Sequence, residues 1–156
     1  MPRRTLADMA EITLRTDLNE LATLAAFVEQ FAADAALPPA VAFQLNLVLD
    51  ELVTNAIEYG HPAGGGSDAG AGIYLRLERL GDLLEVHLVD GGIAFDPRTR
   101  ADPDLTAPIE ERQIGGLGIH LVRHYVDDVD YTREGGRNHV RLRKRLTARR
   151  DDSAPR

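Results

Sequence analysis

The sequence contains no cysteine and no tryptophan, and aromatic residues make up only 5% of it. Without cysteine the chain has neither a disulfide framework nor a thiolate metal site, which suits a reducing compartment. No stretch approaches the roughly 18 continuous apolar residues of a membrane span. The arginines near the start are not followed by an apolar segment, so a secretory signal is not expected either. These absences favour a cytoplasmic protein with no membrane partner.

Positive charge is also scarce. Lys and Arg number 18 against 25 Asp and Glu, which gives a formal net charge of −7. An acidic chain is a poor candidate for binding a nucleic-acid backbone, so we expect no nucleic-acid partner. The basic residues concentrate between positions 133 and 150. We interpret this run as a solvated strand face and a frayed tail; a docking patch for an acidic partner is the alternative.

The length of 156 residues fits one domain that can bury a core of its own. Hydrophobic residues make up 44% and charged residues 28%, as in ordinary globular proteins. We place the domain at residues 10–146 and expect residues 1–9 and 147–156 to be flexible termini.

Two amphipathic helices are predicted in the first half of the chain. A short strand at residues 11–15 precedes Asp17 and Glu20, whose spacing is that of a capping box. Apolar residues then recur at helical spacing as far as Ala36. After a Pro-Pro pair, a second apolar stripe predicts a helix that ends near Tyr59.

Two hairpins are predicted in the second half. Apolar and polar residues alternate at 73–78 and 84–88, on either side of a tight turn at Gly81-Asp82. Two further strands, at 129–133 and 138–146, flank a glycine turn.

A third helix is predicted from Leu117 to Tyr125, after a long connection at 96–114 that we interpret as a functional lid. The element order is therefore β-α-α-β-β-α-β-β. Hairpins with helices segregated to one side predict an α+β fold of two layers, a sheet and a helical layer.

Three groups of residues could carry chemistry. Glu51 and Asn55 lie four apart on the second helix, so they share a face at the rim of the apolar stripe. A carboxylate and a carboxamide there could orient a hydroxyl and supply an oxygen to Mg²⁺. Taken alone, such a pair is more often a solvated helix edge.

The second group is the Asp90-Gly91-Gly92 turn after an apolar strand, and the third is the run Gly115–Gly118 before a helix. An Asp at a strand end can accept a hydrogen bond from the exocyclic amine of adenine, although an ordinary Asp-Gly turn has the same sequence. Glycines at a helix N-terminus let backbone N–H groups face an anion. The alternative there is a simple loop-to-helix junction.

Other catalytic motifs are weaker or missing. The chain has no P-loop motif and no strand-G-x-G-x-x-G-helix unit. His120 and His124 have the i, i+4 spacing of zinc ligands, but no third ligand is evident, so we interpret them as a polar helix face.

The order of the three groups is more specific than any one of them. E-x-x-x-N on a helix, D-x-G after a hairpin, a lid-like loop and G-x-G before a helix resemble the N box and the two glycine boxes of the GHKL ATPases. The run at 49–56 and the Phe95-Asp96-Pro97 tail resemble the anti-sigma-factor serine/threonine-protein kinases of that superfamily. The resemblance covers nearly the whole chain. It implies a Bergerat (histidine-kinase-like ATPase) fold, with a mostly antiparallel mixed sheet and helices on one face.

The resemblance also implies roles for individual residues. Glu51 would be the general base, and Arg112 in the lid would reach the γ-phosphate of ATP. Asn55 would coordinate Mg²⁺, and Asp90 would bind the adenine amine.

The glycine boxes would complete the nucleotide site. Gly92 would shape the adenine pocket, and Gly116, Leu117 and Gly118 would contact phosphates through the backbone. Ala94 stands where a glycine-type residue is usual, and its methyl group could narrow the pocket.

The implied function is an ATP-dependent serine/threonine-protein kinase that phosphorylates a small STAS-type anti-anti-sigma protein and sequesters a sigma factor, as a homodimer. One alternative is a nucleotide-dependent binding module without useful kinase activity; the presence of Glu51 argues against it. Another is the catalytic domain of a histidine kinase, but the predicted first helix contains no histidine that could accept the phosphate.

Overall fold

The computed structural model describes residues 8–58, 60, 72–98 and 116–147, and only the backbone of residues 116–120. Within these residues, five strands and three helices follow one another in the predicted order. They are β1 (Met9–Leu14), α1 (Glu20–Asp34), α2 (Pro39–Glu58), β2 (Ile73–Leu80), β3 (Leu83–Asp90), α3 (Gly116–Tyr125), β4 (Asp128–Glu134) and β5 (Arg137–Arg145). Residues 1–7 and 148–156 of the predicted flexible termini, and most of the predicted lid, lie outside the described residues.

The strands form one sheet in the order β1-β2-β3-β5-β4. Each of the four pairings in the described part of the chain is antiparallel, so the sheet is antiparallel there rather than mixed. The predicted α+β architecture of sheet and helices is confirmed. Since β5 inserts between β3 and β4, the ends of β3 and β5 become neighbours, with Asp90 opposite Asn138.

The two hairpins have the predicted turns. Gly81 has φ 62° between β2 and β3, and Gly135 and Gly136 have φ 58° and 74° between β4 and β5. These left-handed values suit glycine, and the resulting turns match the right-handed twist of paired strands.

The core lies between one face of the sheet and helices α1 and α2. Alternate residues of β2 and β3 are buried, while α2 contributes a continuous buried stripe. Leu49 and Val53 of α2 are completely buried. This packing explains the composition of α2, which is long and apolar enough to cross a membrane by length and mean hydropathy alone. Its apolar face is occupied by the core of the domain.

The predicted capping box at the start of α1 is wrong. The helix begins at Glu20, and its N-cap residue Asn19 makes no side-chain capping bond. Asp17 instead closes a local turn by accepting the Asn19 N–H at 2.9 Å. The Glu20 carboxylate accepts hydrogen bonds from the backbone and guanidinium of Arg15, at 3.2 and 3.1 Å. An Asp side chain can form such a local bond to a nearby backbone N–H group instead of capping the helix.

Part of the basic run near the C-terminus is engaged within the fold. Arg143 contacts Glu85 at 3.1 Å and Asp128 at 3.4 Å. Lys144 donates to the carbonyl of Tyr125, the last residue of α3, at 2.8 Å. These contacts favour the interpretation of a solvated strand face over that of a docking patch.

The core predicts a contrast between two residues of α2. Leu49→Ala should lower the free energy of unfolding by about 2–5 kcal/mol, because it leaves a cavity at a completely buried position. Phe43 is 64% exposed. Phe43→Ala removes a larger side chain from the same helix yet should change the free energy of unfolding by less than about 0.5 kcal/mol. Urea unfolding followed by circular dichroism measures both, and equal losses would contradict this placement of the core.

Candidate functional site

A cleft with about 500 Å³ of empty space, part of it open to solvent, lies between the C-terminal half of α2, the end of β3 and the start of β5. Its lining is mostly apolar and includes three polar side chains. The lining residues are Leu52, Asn55, Ala56, Gly60, Leu88, Asp90, Ile93, Phe95, Pro97, Asn138 and Val140. A mostly apolar cleft with a few polar groups that converge on it has the character of a small-molecule site.

Asp90, the last residue of β3, is buried at one side of this cavity. Its Oδ1 accepts hydrogen bonds from the Gly92 N–H at 2.9 Å and from Nδ2 of Asn138 at 3.1 Å. The described part of the chain places no donor on Oδ2. One oxygen of the carboxylate is thus held by the protein, and the other can accept a hydrogen bond from a ligand, as the predicted contact with an adenine amine requires.

Gly92 does not line the cavity but fixes the loop that does. A Cβ atom at this position would lie 2.6 Å from the carbonyl oxygen of Gly60 and 2.9 Å from Oδ1 of Asp90. The neighbouring Ile93 N–H donates to the same Gly60 carbonyl at 2.9 Å. The loop after β3 therefore rests directly on the backbone at the end of α2, and only glycine permits that approach.

Asn55 lies on the cavity-facing side of α2. The residue is 8% exposed, and its Nδ2 atom has no hydrogen-bond partner among the described residues. A buried amide left without a partner is unfavourable unless a ligand or water completes it. The oxygen and nitrogen of an amide are assigned from such contacts, so either atom can face the cavity. An amide oxygen is a ligand that Mg²⁺ accepts, and the residue therefore fits its predicted role.

Glu51 lies one turn before Asn55, about 6 Å along the helix from the rise per residue. It is half-buried and is not among the lining residues of the cavity. Burial raises the pKa of its carboxyl group above the ordinary 4.5, and the charges of Asp50 and Glu58 raise it further. A carboxylate with a raised pKa is a stronger base than an ordinary surface glutamate.

The structure describes only some of the remaining predicted site residues. Gly116, Leu117 and Gly118 form the first turn of α3, which packs against α2, so their backbone lies at a helix N-terminus as predicted. Ala94 is exposed and outside the cavity lining, so its methyl group does not narrow the cavity. Arg112 and Gly115 lie outside the described residues. So does the side chain of His120, while the ring of His124 stacks edge-on against Tyr125.

Sequence reasoning missed Gly60 and Asn138. Gly60 only follows the predicted end of the second helix near Tyr59, and Asn138 is only the first residue of a predicted strand. The register that brings Asn138 opposite Asp90 joins residues 48 positions apart. A sequence pattern on either strand alone carries no signal of that pairing.

The contact between Gly92 and Gly60 predicts a large effect of a single methyl group. Gly92→Ala should lower the free energy of unfolding by about 1–3 kcal/mol, because the backbone at Gly60 must move. Ile93→Ala removes an exposed side chain from the same loop and should change it by less than about 0.5 kcal/mol. Thermal or urea unfolding of both variants checks this, and a harmless Gly92→Ala would show that the loop does not rest on α2.

Comparison with known proteins agrees with this geometry. Residues 14–144 match the family described as the histidine kinase-like ATPase domain. The chain is 33% identical over 104 residues to the serine/threonine-protein kinase BtrW of Bordetella bronchiseptica, which covers 64% of this chain and 68% of that protein. It is 34% identical over 90 residues to the serine-protein kinase RsbW of Listeria monocytogenes. That match covers 54% of each protein, so the chain spans about half the length of this relative.

Solved structures show the same fold at low sequence identity. The RsbU and RsbW domains of Rv1364c from Mycobacterium tuberculosis match with a TM-score of 0.63 and 19% identity, over 88% of this chain and 32% of that chain. The SiaB-SiaC complex from Pseudomonas aeruginosa matches with a TM-score of 0.53 and 15% identity, over 86% of this chain and 88% of that chain. Because the family model matches most of the sequence and the kinase of Bordetella bronchiseptica is covered over two thirds of its length, the chain belongs to the histidine kinase-like ATPase domain family, on the branch of the protein serine/threonine kinases.

Proposed function

We propose that this chain transfers the γ-phosphate of ATP to a serine or threonine of a partner protein. The observation that carries the proposal is that Asp90 and Asn55 line one cleft and that Glu51 lies one turn before Asn55 on the same helix. Among the described residues, the buried Asp90 carboxylate has one oxygen that accepts no hydrogen bond, and Nδ2 of Asn55 on α2 has no partner. Glu51 lies one further turn away, where burial raises its pKa.

The cleft divides into an end that binds the base and an end that carries the chemistry. The apolar walls formed by Leu52, Ala56 and Val140 suit a planar ring, whose amine Asp90 would bind. Asn55 would hold Mg²⁺, which neutralises phosphate charge when bound. Glu51 would then accept the proton of the attacking hydroxyl, since phosphoryl transfer needs chiefly positioning and electrostatic stabilisation.

The partner that we propose is a small STAS-type anti-anti-sigma protein, and the product of the reaction is its phosphorylated form. A phosphate adds about −1.5 to −2 charges at neutral pH. This chain has a formal net charge of −7, so the new charge would favour release of the product. The released kinase would be available to sequester a sigma factor. We further propose that it acts in the cytoplasm and as a homodimer, the usual arrangement in that branch.

Adenine-nucleotide binding is the first expected outcome. ATP with Mg²⁺ should raise the melting temperature, because a ligand that binds only the folded state stabilises it. Asp90→Asn should abolish most of that shift, since the uncharged amide offers a weaker acceptor to the amine. Differential scanning fluorimetry measures both, with Asp50→Asn as a control on the exposed side of α2. Equal stabilisation by GTP would contradict the assignment of Asp90.

Binding and chemistry should separate in a second pair of variants. Glu51→Gln should leave ATP binding intact and reduce transfer by about 10²–10⁴-fold, because it removes the base. Asn55→Ala should instead weaken Mg²⁺-dependent ATP binding. The wild-type rate should rise with pH through a pKa above 4.5, since Glu51 must be ionised to accept a proton and burial raises its pKa. The residual rate of Glu51→Gln should not show this rise with pH.

The assay uses ATP labelled at the γ-phosphate and the STAS-domain protein encoded nearest to the gene of this chain. Label on a serine or threonine of that protein is the expected result. Label on a histidine would favour a histidine kinase. ATP binding without any transfer would favour the binding module, and equal losses of binding in Glu51→Gln and Asn55→Ala would contradict the separate roles of these two residues.

A further inference from the structure

Three side chains lie in a row across neighbouring strands, beginning at the end of the cavity that would bind the base. Asp90 at the end of β3 pairs with Asn138 of β5, and Asn138 pairs in turn with Arg133 of β4. Directly opposite residues of antiparallel strands project from the same face of the sheet. The row therefore links the carboxylate that faces the cavity to a cation two strands away.

Both donors of the Asn138 amide are used within this row and in the loop after β3. Its Nδ2 donates to Oδ1 of Asp90 at 3.1 Å and to the carbonyl of Ile93 at 2.8 Å. An amide nitrogen has only two hydrogens, so it retains none for a ligand. Asn138 is also 3% exposed. Although it lines the cavity, its donors act on Asp90 and the loop rather than on a bound base.

Three donors fix the other side of the same amide. Oδ1 of Asn138 accepts hydrogen bonds from the hydroxyl of Tyr131 at 2.6 Å, from Nη1 of Arg133 at 2.9 Å and from the Phe95 N–H at 3.3 Å. Nη1 of Arg133 also donates to the carbonyl of Gly92 at 3.0 Å. With donors only on the oxygen and acceptors only on the nitrogen, the amide has one favourable orientation.

This network fixes the orientation of the Asp90 carboxylate, which lines the cavity. Oδ1 is held by Asn138 and by the Gly92 N–H, so rotation of the carboxylate would break both bonds. Oδ2 remains as an acceptor at a fixed place. Adenine offers an amine donor there, whereas guanine offers a carbonyl oxygen that a carboxylate repels. A carboxylate free to rotate could instead meet the N–H donors on the neighbouring edge of guanine.

We propose that Tyr131 and Arg133 are positioning residues that set the preference for adenine over guanine by acting through Asn138. Neither residue is among those that line the cavity. Their effect on the nucleotide is thus indirect, through the orientation of the amide and the carboxylate. This inference rests on the proposed use of ATP.

The test compares Tyr131→Phe and Arg133→Met with wild type and with Arg141→Met. Each of the first two removes hydrogen bonds of the network and keeps most of the side chain. Arg141 lies on the same strand as Asn138, on the opposite face of the sheet and 3.8 Å from Glu85, so its variant is a matched control. Calorimetry gives the Kd for ATP and for GTP, each with Mg²⁺, and scanning fluorimetry gives the melting temperature without ligand.

The expected result is a fall of about tenfold in the preference for ATP over GTP, as the ratio of the two Kd values, in Tyr131→Phe and Arg133→Met. That change is what the loss of about one net hydrogen bond would produce. Arg141→Met should keep the wild-type ratio. Arg133→Lys, which retains a cation of similar reach, should restore part of it.

Three outcomes would overturn the inference in distinguishable ways. If the wild-type protein does not bind ATP, the proposed function and this inference are both wrong. If wild type prefers ATP but the ratio of the two Kd values is unchanged in both variants, only this inference is wrong. Equal losses of ATP and GTP affinity alongside a lower melting temperature would show that the network merely stabilises the fold.

Discussion

The cavity depends on one close approach between two stretches of backbone. The loop after β3 reaches the end of α2 at Gly92, and the Ile93 N–H donates to the Gly60 carbonyl at 2.9 Å. Gly60 is equally constrained, since a Cβ there would lie 2.5 Å from the carbonyl oxygen of Ala56. A side chain at Gly92 would push the loop away from the helix, and a side chain at Gly60 would clash with the last turns of α2 itself. Because the loop stays in contact with the end of the helix, Asp90 and Asn55 line the same cleft.

One helix provides both the core and much of the candidate site. Leu49 and Val53 of α2 are completely buried against the sheet, while Asn55 and Ala56 border the cavity. The same packing that stabilises the domain therefore fixes the position of Asn55. The half-buried Glu51 on the same helix has a raised pKa for a related reason, because burial removes the water that would stabilise its charge.

Local features of the sequence predicted much of the fold. Alternating strands and glycine turns at Gly81 and Gly135 depend on neighbouring residues, and both hairpins form as expected. The capping box at Asp17 failed because a side chain of that type can bond to several nearby N–H groups, and the sequence does not say which one it takes.

The candidate site was predictable only in part for a different reason. Asp90 and Asn55 belong to short motifs, which can be found within a few residues of sequence. The contacts that orient Asp90 come from β5 and β4, and they exist only once the strand order is formed. Arg133 was interpreted as one of a basic run, and its bond to the Gly92 carbonyl spans 41 positions in the chain.

The two ends of the cleft differ in how far the protein alone prepares them. At the base-binding end, the hydrogen bonds of Asn138 are complete and Oδ1 of Asp90 is fixed without a ligand. At the other end, the amide of Asn55 has a buried atom with no partner among the described residues. A preformed site loses little entropy when it binds, whereas an unsatisfied polar group gains its partner only on binding. Under the proposed use of ATP, the base would therefore be selected by a structure that exists beforehand, and Mg²⁺ and the phosphates would complete the part that is unfavourable without them.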